Sequence, residues 1–254
     1  MNSTRTSSFA RDERHRRHLL ARIHRHYRTK TEQMIIGPLR LNFARVADPD
    51  EVLDQVVEAE DRRERQTGDR RDGNALHLPY WAELWDSAIG MGQMLVKWQT
   101  GDVDRLLPGA RPPLSMLDLG CGMGLSGTVA AALGHRATLA DLEAPALLFA
   151  RLNTLPYADR VRIRQLNWQT DNLGERFDVI LGADVLYERA QWEFLDNFWR
   201  AHLAPNGAVL LGEPGRQSGD LFQEWIGPRG WALERFEERA NTGKTIRLFR
   251  LQLL

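Results

Sequence analysis

Three carboxylates in this sequence stand where apolar runs give out, and each has the chemistry to meet a ligand. Asp118 lies in LSMLDLGCGMGLSG, residues 114–127, just before glycines at 120, 122, 124 and 127. Asp141 lies in LADLE, and Asp184 lies in DVILGADVLYE, ahead of Tyr187. The 114–127 stretch reads as a buried strand, a tight glycine loop and the start of an Ala-rich helix. Such a loop lets a ligand approach the backbone where a side chain would block it. The helix start offers unpaired N–H groups. Gly122, Gly124 and Gly127 formally match the dinucleotide pattern GxGxxG. Asp118 argues against a dinucleotide, because a carboxylate there opposes a pyrophosphate but suits an ammonium. S-adenosylmethionine (SAM) carries an ammonium and a sulfonium, so acids are expected around it. We read the stretch as a SAM-binding loop.

The other strand ends add to that reading. An acid at the end of a second strand, such as Asp141, can accept both ribose hydroxyls, in NAD and SAM sites alike. The bland alternative is an N-cap for the next helix. Asn167 and Trp168 follow the third strand, where an amide and an indole can read an adenine edge and cover its face. A turn Asn and a core Trp are the alternative. Asp184 and Tyr187 fall at the carboxyl end of the fourth strand, in the crevice where open α/β sheets bind ligands. A helix N-cap is the alternative for Asp184. Glu213 and Arg216 close the fifth strand on the same edge. Trp81 and Trp85, ahead of the glycine loop, suit stacking on an adenine or covering a ribose, although Trp pairs are more often core.

The elements that must position these groups follow from periodicity. Strands are expected at 115–119, 136–140, 161–166, 178–183, 207–213, 231–237 and 245–253. Helices are expected at about 125–133, 143–154, 190–203 and 219–227, with another from Ser87 to Trp98. The alternation means an α/β, Rossmann-like, seven-strand, mostly parallel sheet with helices on both faces. No helix separates the last two strands, and Asn241-Thr242-Gly243 reads as a turn, so the last strand is expected antiparallel. Upstream, residues 33–47 read as strand, turn at Gly37-Pro38, and strand. Asp48-Pro49 opens a helix at 50–59, and residues 60–75 read as a charged mobile loop. The chain divides into a basic N-terminal α/β extension, 1–75, and a main domain, 76–254.

Residues 1–30 hold nine Arg and Lys against Asp12 and Glu13. Leu19, Leu20, Ile23 and Tyr27 make a narrow apolar stripe on a helix from about residue 10. Contact with RNA or an acidic protein surface is one reading. The favoured one is a solvated helix that docks by its stripe, or a tail. The whole chain of 254 residues has a formal net charge of zero, so it is not an electrostatic nucleic-acid binder. One cysteine, Cys121, excludes an internal disulfide framework and a Cys-rich zinc site, and suits the cytoplasm. No metal is expected, no apolar run is long enough to span a membrane, and the chain is expected to be a monomer or weak oligomer.

Taken together, LDLGCGMG, Asp141, Asn167-Trp168 and Gly182-Ala183-Asp184-Val-Leu-Tyr187 resemble a class I, seven-strand SAM-dependent methyltransferase. The Pro79–Trp85 segment and the Asp-x-x-Tyr spacing of Asp184 and Tyr187 resemble the protein-lysine methyltransferase group. Glu213-Pro-Gly-Arg216 is similar to the branch that methylates the electron-transfer flavoprotein β-subunit, where the acid is usually Asp. The resemblance covers roughly residues 76–254, and Asn167 stands where the group often has Asp. It implies SAM as cofactor, held by Trp85, Asp118, Gly120, Gly122, Gly124, Asp141, Asn167, Trp168 and Ala183. It implies catalysis at Asp184 and Tyr187, with a lysine side chain of a protein as acceptor. The alternatives are a small-molecule N- or O-methyltransferase, a non-catalytic SAM- or nucleotide-binding module or RNA-associated factor, and an NAD(P) oxidoreductase.

Overall fold

The computed structural model describes residues 3–68, 78–101, 107 and 112–254, with side chains given from Glu13 onward. The expected boundary at 75/76 lies outside the described residues, as does the 69–75 part of the charged loop.

The core of the fold is a seven-strand sheet. Its strands are β3 (Ser115–Leu119), β4 (Arg136–Asp141), β5 (Val161–Gln165), β6 (Phe177–Ala183), β7 (Leu203–Glu213), β8 (Trp231–Arg239) and β9 (Thr245–Leu253), in the order β5-β4-β3-β6-β7-β9-β8. The pairs from β5 through β7 are parallel. β9 runs antiparallel to both β7 and β8, as the helix-free link between the last strands requires. Alternation along the strands divides the core between two faces. Met116, Val179, Leu181 and Leu210 pack on one side, with helices α3 (Asp86–Thr100), α4 (Leu125–Ala132) and α5 (Ala144–Asn153). Leu117, Ile180, Val209 and Phe249 pack on the other, with α6 (Trp192–His202) and α7 (Gln217–Ile226). The order in which strands are added reverses between β3 and β6, which opens a crevice at the carboxyl ends of β3, β4 and β6.

The N-terminal segment joins the same core. Helix α1 (Ser3–Ile23) buries Leu19 and Ile23 and packs on α5, the docked reading of the apolar stripe. β1 (Thr29–Ile36) and β2 (Leu39–Val46) form a hairpin turned at Gly37-Pro38. It starts a few residues earlier than expected. Asn153, at the end of α5, fastens it. The Asn153 amide accepts from Ala44 N at 2.8 Å and donates to Ala44 O and Met123 O at 2.9 Å each. Hairpin and glycine loop are thereby tied through one buried side chain.

Helix α2 (Pro49–Thr67) corrects an expectation. It begins as foreseen, with Asp48 capping Asp50 N at 3.2 Å and Pro49 in the first turn. It does not stop at 59. It runs to a left-handed Gly68, so residues 60–67 are helix and not loop. The many charges had suggested a solvated coil. Glu58–Arg62 and Glu60–Arg63 instead pair one helical turn apart, which supports a helix made of good helix formers.

Candidate active site

All eleven residues singled out from the sequence line one cavity of about 900 Å³ in the crevice. That volume suits a ligand of nucleoside size, at the upper part of the roughly 300–1,000 Å³ usual for small-molecule sites. Gly120, Gly122 and Gly124 form the loop after β3, Asp141 ends β4, and Asn167 and Trp168 follow β5. Ala183, Asp184 and Tyr187 follow β6, and Trp85 caps α3 from the opposite wall.

The loop's shape has two sources. Gly124, the N-cap of α4, sits at φ +86, where side-chain-bearing residues are strained. Gly127 is different. A Cβ there would meet the Leu139 side chain at 2.4 Å, so this glycine serves close helix–strand packing rather than ligand approach. Asp118 is buried and accepts from Gly127 N at 2.8 Å. Burial pushes its carboxyl up to about 7; the Gly127 amide opposes this and the Asp141 charge adds to it. No ion-pair partner of Asp118 is present among the described residues. One acid is thus buried beside the cavity without a counter-charge.

Asp141 serves both readings at once. Its Oδ2 accepts from Gly122 N at 2.7 Å and its Oδ1 from Glu143 N at 2.9 Å. It therefore shapes the loop and the entry to α5 while lining the cavity. Asn167 closes a turn, accepting from Gln169 N at 3.0 Å. Trp168 is half-buried, its indole N–H donating to Gln191 at 3.1 Å, which leaves the ring as a cavity wall. The two tryptophans of the upstream segment part company. Trp81 is core, edge-on to Tyr27 and tilted against Phe149. Trp85 is half-buried and donates to Tyr80 O at 3.0 Å.

At the other end Asp184 adopts φ +60, one of two non-glycine residues with positive φ among the described residues. Asp tolerates that conformation better than most; such a backbone clusters at functional sites. It caps no helix. Its carboxylate takes a two-pronged ion pair from Arg216, with Nη2 to Oδ2 at 3.2 Å. Burial raises the Asp184 pKa and Arg216 opposes the rise. Tyr187 packs edge-on to Tyr80, ring centroids 5.1 Å apart. Burial, with Glu188 next, pushes its phenol up to about 12.

Sequence reasoning missed three contributors. Phe43 comes from the hairpin and lines the cavity, and no local signal could have placed it there. Ser126 was in plain view inside GMGLSG. Its buried hydroxyl lines the cavity and has no hydrogen-bond partner, at the start of α4, where Asp118 takes the Gly127 amide and the N-cap Gly124 brings no side chain to the amides of Leu125 and Ser126. Arg247, on β9, pairs with Glu213 and Asp220. Glu213 in turn accepts from Gly215 N at 2.8 Å and Arg216 N at 2.9 Å, so the acid of the fifth strand end is structural.

These residues fit SAM. An unpaired buried acid suits the methionine ammonium, and an orphaned hydroxyl with free helix amides suits its carboxylate. Asp141 suits the ribose, and Trp168 the adenine.

A model of the lysine methyltransferase family matches residues 80–222. Protein N-lysine methyltransferase METTL21A of Mus musculus is 35% identical over 140 residues, covering 51% of this chain and 58% of that protein. The electron transfer flavoprotein beta subunit lysine methyltransferase of Danio rerio is 28% identical over 144 residues, covering 54% and 51%. The chain spans about half the length of the curated relatives it matches. Among solved structures, the glycopeptide N-methyltransferase MtfA complexed with sinefungin matches with a TM-score of 0.55 at 14% identity, covering 68% of this chain and 96% of that one. That likeness is one of fold. Because the family match runs through more than half of the chain and takes in all eleven residues foreseen in the cavity, the chain belongs to the lysine methyltransferase family.

Proposed function

We infer that this protein is a SAM-dependent N-methyltransferase that acts on a lysine side chain of another protein. The observation that carries the reading is the single cavity that joins an uncompensated acid at the glycine loop to Asp184 and Tyr187 at its far end. Asp118, Ser126 and the start of α4 would hold the methionine end of SAM. Asp141 would hold the ribose, and Asn167, Trp168 and Trp85 would enclose the rest. SAM supplies an electrophilic methyl on a sulfonium.

The acceptor amine attacks only as the neutral base. A free lysine has a pKa of about 10.4, so neutrality at pH 7 costs about 4–5 kcal/mol. Burial lowers that cost by disfavouring the ammonium. Trp85, Tyr80 and Tyr187 line the far end of the cavity, with Tyr80 and Tyr187 exposed in the free protein, and would shed water there once the acceptor enters. Tyr187 does not take the proton, since a phenol held near 12 stays protonated at neutral pH. Its hydroxyl orients the amine lone pair, and the proton leaves to water. Asp184 accepts an N–H of the acceptor and aims it, so much of the acceleration is positioning.

The test is calorimetry with SAM, then incubation with labelled SAM and a cell lysate, then mass spectrometry of the labelled site. SAM binding and label on a protein lysine are expected. Label confined to small molecules, or on arginine, overturns the acceptor; absence of SAM binding overturns the whole reading.

A further inference from the structure

Asp184 presents a difficulty for the transfer just described. A lone carboxylate beside an amine stabilises the ammonium, the form that cannot attack. The structure supplies an answer in Arg216. Its guanidinium grips both Asp184 oxygens and lies 5.3 Å from the centre of the Trp85 ring. Asp184 and Trp85 line the cavity, and Arg216 stands behind them, outside the wall. Arg216 is itself fixed at both ends of its backbone: its N–H donates to Glu213 at 2.9 Å, and its carbonyl accepts from Arg247 at 2.6 Å.

Resting on the proposed transfer to an amine, we propose that Arg216 is a positioning residue that compensates the charge of Asp184, so that the acceptor meets a neutral pair and not an anion. The carboxylate still offers oxygen lone pairs to aim an N–H. It no longer pulls the amine toward the ammonium form.

The two other acids whose charge acts on Asp184 already have cations, while Glu188 lines the cavity on the Tyr187 side and accepts from Gln191 at 3.4 Å. Glu213, at the end of β7, is paired with Arg247. Asp86, at the start of α3, is paired with Lys244 at 2.7 Å and accepts from Thr242 at 2.6 Å. Tyr80 and Tyr187 pack together at the same end, and burial keeps the Tyr187 phenol protonated at neutral pH. Arg216 is therefore the cation whose loss leaves Asp184 unbalanced.

The experiment compares wild type, Arg216→Gln and Arg216→Lys in two ways. The first is the pH profile of kcat, at saturating SAM and acceptor, for transfer of labelled methyl from SAM into the lysate protein that wild type labels, because kcat reports the groups of the bound complex. In Arg216→Gln the acid limb should move up by about one pH unit or more, the scale on which an adjacent charge acts. Activity should fall about tenfold at pH 7 and return toward wild type at high pH. Arg216→Lys should restore the limb. A loss equal at every pH would mean a scaffold role, and a gain at pH 7 would mean a gate; either overturns the proposal, as does an unchanged profile. The second readout needs neither SAM nor acceptor. NMR titration of the Asp184 carboxylate carbon in the ligand-free protein should move up in Arg216→Gln and stay near wild type in Arg216→Lys. An unmoved titration overturns the charge compensation itself, whatever becomes of the methyl-transfer reading.

Discussion

The two ends of the cavity each bury an acid, and they treat it in opposite ways. At the glycine loop Asp118 has one amide donor and no cation among the described residues, and burial carries it up to about 7. At the far end Asp184 is gripped by an arginine from the loop after β7. An uncompensated buried carboxylate is unfavourable until something positive arrives, so the first end is built to gain a cation from its ligand. The second end already has its cation, so an arriving amine is not bound as a strong counter-ion. The contrast separates affinity from reactivity: one acid holds the cofactor, and the other aims the acceptor.

Four variants break or sharpen that contrast. Asp184→Ala should abolish methyl transfer while SAM affinity moves by less than about tenfold, about 1.4 kcal/mol; retained activity would remove Asp184 from the mechanism. Asp118→Asn should do the reverse. SAM affinity at pH 8 should drop by about 1.5–3 kcal/mol, the worth of a hydrogen bond to a charged group, as read by calorimetry.

The pH dependence of Asp118 has a definite sign. Its folded pKa near 7 stands above the unfolded value of about 3.9. The native state keeps a proton that the unfolded chain releases, so ligand-free wild type loses stability as pH rises from 4 to 7. Asp118→Asn lacks that loss, and the Tm gap should move in its favour across the same window. A cationic ligand favours the ionised acid, so wild-type SAM affinity should climb from pH 5 toward 7 with proton release, and the Asn variant should stay flat.

Asn153→Ala should lower stability by about 1–3 kcal/mol, because buried hydrogen-bonding partners on β2 and at Met123 are left without their mate. Denaturant titration gives the stability, and SAM affinity should fall with it while the KM for the acceptor holds. The smallest effect belongs to Ser126→Ala. SAM affinity should fall by about 0.5–1.5 kcal/mol with ligand-free stability unchanged or raised, since that hydroxyl has no partner to lose. A destabilised ligand-free variant would place a partner on Ser126 and remove it from the cofactor site.

What the sequence made legible was mostly what chain order brings together. Strand ends were readable because an apolar run followed by a polar residue is a local pattern, and parallel β/α units send every such end to one edge. That is why ten of the eleven residues, from the ends of four strands, met in one cavity, with Trp85 joining them from the segment ahead of α3. Pairings between distant residues were not legible. Arg216 was noted on the same edge as Asp184, but nothing in the spacing paired them. Asn153 reaches a hairpin more than a hundred residues upstream, and its own neighbourhood reads as an ordinary helix end. Helix α2 was misjudged for a different reason. Its Glu and Arg residues were counted as solvated charge, when their spacing at three and four residues already carried the signal of a helix.

The position of β9 has a consequence for how the molecule comes into being. β8 pairs within the sheet only with β9, so on a growing chain it waits without a neighbour, and β7 keeps an open edge, until the last strand of the fold emerges. Arg247, which steadies the loop bearing Arg216, lies on that same late strand. Domains form from the N-terminal side during synthesis, and the cofactor-end residues Trp85, Asp118, Ser126, Asp141, Asn167 and Trp168 all precede residue 170, with Ala183 alone following. The cavity therefore matures in order: the half that holds the cofactor is translated first, and the half that aims the acceptor is completed only by the closing strand.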